Sequence, residues 1–230
     1  MKKLLIAAIL LVLCRAGMAQ DARFTVVTID TARQQLELFL NDDAGRPLNG
    51  FASLAAMLQS RHRRLDFAVN AGMYHADFAP VGLLVQDGKE VAPLNLSDGV
   101  GNFFMKPNGV FLVGKNGPRV VASSEYQGAG VRIATQSGPL LLRRGVIHPA
   151  FNPQSGSRYI RNGVGVAGSK AYFVISNHAV TFYEFAAFFR DVLHCEDALY
   201  LDGSVSSLYS TALGRNDAAA RLGPMLGVAE

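Results

Sequence analysis

Most of the chain alternates apolar and polar positions or gathers apolar residues into short runs, a pattern of strands, and two stretches carry helical spacing instead. Arg23 to Asp30 and Gln35 to Leu40 read as an opening pair of strands. Leu48, Phe51, Leu54 and Leu58 predict a helix over Leu48 to Arg63. The basic run Arg61-His62-Arg63-Arg64 closes it, where positive charge suits the negative end of the helix dipole. From residue 80 onward one device repeats: two apolar runs around a turn. Val81 to Val85 precedes Asp87-Gly88, Val110 to Val113 precedes Asn116-Gly117, Pro139 to Leu142 precedes Arg144-Gly145, and Val164 to Val166 precedes Gly168-Ser169. Each predicts a hairpin. Parallel strands need long, usually helical crossovers, and these spacers are too short, so the sheets are expected to be largely antiparallel.

The same pattern disposes of a decoy. Gly163-Val164-Gly165-Val166-Ala167-Gly168 fits the dinucleotide string G-x-G-x-x-G, but Ala171 to Ile175 is a strand-like run where that fingerprint needs a helix. The second predicted helix is Thr181 to His194. Thr181 and Glu184 form a T-x-x-E capping box, and Phe185, Phe188, Phe189 and Val192 supply its apolar face. Ala198 to Leu201 follows as a buried strand ending at Asp202. The expected fold is α+β: largely antiparallel sheets built from successive hairpins, with an N-terminal and a C-terminal helix.

Charge and composition narrow the setting. Lys2-Lys3, the apolar run Leu4 to Leu13, and Gly17 and Ala19 at small-residue positions read as a secretory leader over residues 1–19, leaving residues 20–230 as one domain in the periplasm or outside the cell. Lys and Arg number 22 against 18 Asp and Glu, and without Lys2, Lys3 and Arg15 the excess nearly vanishes. No basic patch for nucleic acid remains. No later segment is apolar for long enough to span a membrane. Of the two cysteines, only Cys195 lies beyond the leader, so no internal disulfide is expected, and a lone cysteine in apolar sequence reads as a packed hydrophobe. His75, His148 and His178 are too dispersed for a paired-histidine metal motif. No cofactor is implied, although oxygen ligands converging in space would still admit a divalent metal.

Four polar, glycine-bearing segments fall at the ends of predicted strands, where a sheet fixes loop groups for chemistry. They are Asn70-Ala71-Gly72-Met73-Tyr74, Gln136-Ser137-Gly138-Pro139, Arg158-Tyr159-Ile160-Arg161-Asn162-Gly163, and Asp202-Gly203-Ser204-Val205-Ser206-Ser207. Asp202 reads either as a catalytic carboxylate or as a turn and cap former. Glu184 is explained by its capping box. Arg158 and Arg161 suit phosphate recognition, and a spacing of three on a strand sends them to opposite faces. Asn70, Gln136 and Asn177 are candidates for sugar hydroxyls, although Asn70 reads equally as fixing its own turn, while Gly72, Gly138 and Gly203 are more naturally geometric.

In this order and placement the four segments resemble the phosphodiester glycosidase family over roughly residues 66 to 210. Asn70 to Tyr74 matches an N-G-G-x-F type loop with alanine for one glycine, Gln136 to Pro139 a Q-x-G-P type turn, Arg161 an arginine before an apolar strand, and Leu201 to Ser206 an L-D-G-G-G-S segment. Ser204 and Val205 stand where the family pattern has glycines. The resemblance implies hydrolysis of the C1–O bond of a sugar-1-phosphodiester, with Asp202 and Arg161 as catalytic residues. Asn70, Gly72, Gln136, Ser137 and Gly138 would contact substrate, as would Arg158, Asn177, Gly203, Ser204 and Ser206. A phosphate monoester leaves readily, its second pKa being about 6, so no obvious pair of acids is needed. The alternatives are a non-catalytic glycan-binding module at the cell surface or in the periplasm, and a phosphodiesterase that breaks P–O, which would want metal ions.

Overall fold

The computed structural model describes residues 21–230 except 219; the predicted leader lies outside the described residues. The chain runs β1 (Phe24–Asp30), β2 (Leu36–Phe39), α1 (Phe51–Ser60), β3 (Leu65–Asn70), β4 (Leu84–Gln86), β5 (Lys89–Ala92), β6 (Gly109–Gly114), β7 (Gly117–Ala122) and β8 (Val131–Ser137). It continues as β9 (Leu140–Arg143), β10 (Val146–Ile147), β11 (Asn162–Ala167), β12 (Lys170–Ser176), α2 (Phe182–Asp191), β13 (Asp197–Tyr200), β14 (Leu208–Ser210), β15 (Arg215–Asn216) and β16 (Met225–Ala229). Three sheets result, in the orders β1-β12-β11-β13-β9-β10, β15-β14-β3-β16-β2 and β5-β4-β8-β6-β7. Their strand pairings are antiparallel.

All four expected hairpins form, as β4–β5, β6–β7, β9–β10 and β11–β12. Asp87-Gly88 and Arg144-Gly145 have φ of 51° and 78°, and 51° and 77°. Two successive left-handed residues are what a two-residue turn matching strand twist requires, and glycine takes the second place without a Cβ penalty. The opening strands differ from expectation, because β1 and β2 do not pair with each other. β1 lies on β12 and β2 on β16, in different sheets. The Thr31 hydroxyl donates to the Ser169 carbonyl and the Ala32 N–H to the Asp30 carboxylate, turning the chain away from its first sheet.

The helices also differ from expectation. Each is ten residues, shorter than the pattern predicts, and among the described residues the two helices lie inside the chain, at Phe51–Ser60 and Phe182–Asp191, with β16 the last element, inside the second sheet. Asn49 at φ 62° and His62 at φ 58° bound α1; at the end of α2, His194 stands at φ 53°. A left-handed residue cannot continue a right-handed helix.

The inner faces of the three sheets meet in one apolar cluster, to which Val164, Phe173 and Leu199 come from the first, Phe67, Val69 and Leu226 from the second, and Phe111 and Ile133 from the third. Phe173 touches Phe67 and Phe111 at ring distances of 5.1 and 5.8 Å, so a single ring joins all three. α1 covers the outer side of the second sheet through Phe51, Leu54 and Leu58. α2 covers the first through Phe185, Phe188 and Phe189. Its capping box is complete: the Glu184 N–H donates to Thr181 Oγ1, and the Thr181 N–H to the Glu184 carboxylate. A Cβ on Gly165 would stand 2.5 Å from Phe189 Cδ1 and 2.8 Å from Cys195 Sγ, so this glycine admits the helix to the sheet. The dinucleotide-like string is a packing device followed by the strand β12.

Candidate functional site

The four loop segments singled out in the sequence come together at the ends of β3, β8, β11 and β13. The Asp202 N–H donates to the Ala71 carbonyl, and Asn70 Nδ2 donates to the Asp202 carbonyl at 2.7 Å. Asn70 Oδ1 accepts from Asn162 Nδ2 and from the Ser207 N–H, and Ser206 Oγ donates to Asn162 Oδ1. The second segment joins because the Tyr200 N–H donates to the Pro139 carbonyl, and the Gly72 N–H to Thr135 Oγ1. The register of β11 and β13 pairs Gly163 with Tyr200, and the Leu201 N–H donates to the Asn162 carbonyl one step on. Arg161 lies just before β11 and Asp202 just after β13, and the charges of both act on the Tyr200 phenol. Positions far apart in sequence thus come together.

Asp202 is only 9% exposed, and its carboxylate accepts from the Ser204 N–H. Burial pushes its carboxyl above the ordinary aspartate value of 3.8, against the lowering pull of Ser204. Tyr74 and Tyr200 flank it. Both phenols are pushed upward by burial first and by the Asp202 charge in addition.

Arg161 is 2% exposed and lacks a carboxylate partner among the described residues. Nε donates to the Val180 carbonyl and Nη2 to the Ser157 carbonyl. Its guanidinium carbon lies 3.6 Å from the Phe182 ring centre and 5.6 Å from those of Tyr159 and Tyr200. Removing an ion from water costs several kcal/mol, roughly what one desolvated cation–π contact of about 2 kcal/mol and two charged hydrogen bonds offset. Those contacts orient the cation without neutralising it. An anion with oxygens placed to accept its remaining N–H groups would supply the missing charge.

The other sequence candidates divide between cleft and scaffold. Gln136 Oε1 accepts from the Leu83 and Asn95 N–H groups, and Nε2 donates to the Asn95 carbonyl and Ser123 Oγ. These four bonds use its full capacity, so it is a strut for the loop over β8. Asn70 is likewise a buried clamp. A Cβ at Gly72 would collide with the Gln136 carbonyl, one at Gly203 with the Tyr200 hydroxyl, and one at Gly138 with Asn108 and the Phe103 carbonyl. These glycines permit backbone contact. Ser137 Oγ is fully buried and without a hydrogen-bond partner. Arg158 is exposed and pairs with Glu184 at 2.8 Å, whereas Arg161 is buried. Asn177 is not brought into the loop network around Asp202, since its side chain bonds Thr25, Arg215 and the Ala22 carbonyl. Sequence reasoning missed Tyr200, Phe182 and Tyr159 as the collar of Arg161, since nothing in their spacing signals a shared cation. Among the described residues no three His, Cys, Asp or Glu side chains gather to hold a metal, and no helix is long and apolar enough to cross a membrane.

A family model described as phosphodiester glycosidase matches residues 63–229. The chain belongs to that family. It is 34% identical over 184 residues to the uncharacterized protein YigE of Escherichia coli (strain K12), covering 79% of this chain and 72% of that one. The fold is similar to that of the zebrafish N-acetylglucosamine-1-phosphodiester alpha-N-acetylglucosaminidase catalytic domain, auto-inhibited by its pro-peptide, with a TM-score of 0.56 and 16% identity over 90% of this chain and 88% of that one. A hypothetical protein from Synechocystis gives a TM-score of 0.53 at 16% identity, covering 90% of this chain and 59% of that chain.

In this member of the phosphodiester glycosidase family, Ser204 and Val205, which stand where the resemblance leads one to expect glycines, have local explanations. Ser204 contributes its N–H to the Asp202 carboxylate and stays at the surface. Val205 packs with the cluster of Phe51, Leu222 and Met225, anchoring the loop to the core under the second sheet.

Proposed function

We propose that this protein is exported and hydrolyses the glycosidic C1–O bond of a sugar-1-phosphodiester. The observation that carries the reading is a buried carboxylate and a buried, unneutralised guanidinium whose charges both act on the phenol of Tyr200. Arg161 holds the phosphate and stabilises the charge that grows on it as C1–O breaks, with the bonding pair leaving on the phosphate oxygen. Asp202 stabilises the positive charge developing at C1 or takes the proton of the attacking water. Membership in the phosphodiester glycosidase family supports the reaction class.

Hydrolysis of a panel of sugar-1-phosphodiesters in oxygen-18 water tests this. Label is expected in the sugar. Label in the phosphate means P–O cleavage and overturns the reading, and an unlabelled, unturned panel means that the cleft binds glycans without hydrolysing them.

A further inference from the structure

We propose that Tyr159 is the wall of an aglycone subsite, and that this subsite favours phosphodiesters whose alcohol portion is apolar and planar. This inference rests on the sugar-phosphodiester reading above. The Tyr159 N–H donates to the Val180 carbonyl and the Val180 N–H to the Tyr159 carbonyl, while Arg161 Nε donates to the same Val180 carbonyl. The backbone from 159 to 161 is therefore fixed against the residue just before the cap of α2. Residues two apart on extended chain share a face, and the Tyr159 ring does face the guanidinium, at 5.6 Å.

The three rings around Arg161 differ in what else they touch. Phe182 is sandwiched against Phe151 at 4.8 Å and 6°, and Tyr200 is 3% exposed with its hydroxyl set against Gly203, beside Asp202. Tyr159 is 63% exposed, and its neighbour Ile160 is 39% exposed. Single exposed apolar residues need no explanation, but here a pinned backbone presents a ring that borders an anion site on one side and open solvent on the other.

The chemistry of a diester sets what meets that ring. One ester oxygen of the phosphate leads to C1, which must lie toward Asp202, and the other leads to the alcohol, away from it. Tyr200 is buried and feels the Asp202 charge, and Tyr159 is the ring of the collar that opens to solvent, so an ester directed outward runs past Tyr159. A tyrosine face there discriminates by ring stacking, worth about threefold to tenfold in affinity for an aromatic alcohol over a small one.

The test uses the mature protein and two leaving products, benzyl phosphate and methyl phosphate, compared by calorimetry, together with kcat/KM for the two corresponding diesters. Wild type should bind benzyl phosphate about threefold to tenfold more tightly. Tyr159→Phe should keep that ratio and Tyr159→Ala should bring it to about one. Equal or undetectable binding of the two phosphates, or a ratio that survives in Tyr159→Ala, overturns the proposal. If the ratio depends on Tyr159 while neither diester is turned over, the subsite stands and the hydrolytic reading fails. If both diesters are cleaved with no Tyr159-dependent preference, the subsite alone fails.

Discussion

Asp202 carries an opposition between stability and function. Because burial raises its carboxyl above 3.8, the folded state holds this proton more tightly than the unfolded chain does. Its contribution to stability is therefore complete below the ordinary aspartate value and is lost as pH rises through the raised folded value. Above that, the ionised form is a buried charge held by Ser204. Asp202→Asn keeps the acceptor for the Ser204 N–H and removes the charge, so at neutral pH it should melt at a higher temperature than wild type, with the difference vanishing below pH 3.8. The acid limb of kcat/KM should lie above 3.8, since the carboxylate is the working form. Thermal melts and a pH–rate profile read both. Asp202 and Arg161 were legible in the sequence through their ordered segments. In the sequence Gln136 reads as a ligand contact and Asn70 as either a ligand contact or a turn former, because a polar amide in a glycine-bearing loop looks the same whether it faces a sugar or a neighbouring backbone.

The elements that were legible are those whose partners lie nearby in sequence. The Asp87-Gly88 and Arg144-Gly145 turns dictate their own hairpins, and Thr181 with Glu184 writes the start of α2. The partner of β1 was not legible, because alternation specifies a strand and its buried face but not which of many strands lies beside it. The tight Gly163-Val164-Gly165 run was legible only as not being a nucleotide loop; its purpose appears once Phe185 and Phe189 of α2 sit over it. Gly165→Ala should therefore overpack the helix–sheet seam and cost about 1–3 kcal/mol. For a chain of this size each kcal/mol is worth roughly 2–4 °C, so a circular dichroism melt should fall by several degrees. A melt unchanged from wild type would show that α2 has room to spare.

At the scale of the whole molecule, the candidate site is assembled because three sheets close around Phe173. β3 and its loop bring Asn70 from the second sheet, β8 brings Gln136 and Ser137 from the third, and β11 and β13 bring Arg161 and Asp202 from the first. No contiguous segment contains the site. The three-sheet arrangement was not legible in the sequence, since its long-range pairings, such as Phe24 with Ser176, leave no local mark. Burial of both Arg161 and Asp202 is a product of the same closure. The central claim is a division of labour between these two residues, and calorimetry with a sugar-1-phosphodiester and with the free sugar, alongside turnover, measures it on Arg161→Ala and Asp202→Asn. Asp202→Asn should abolish turnover while still binding the diester, and Arg161→Ala should weaken the diester far more than the free sugar. Full turnover by Asp202→Asn, or equal weakening of both ligands by Arg161→Ala, would reduce the pair to a turn former and a structural cation.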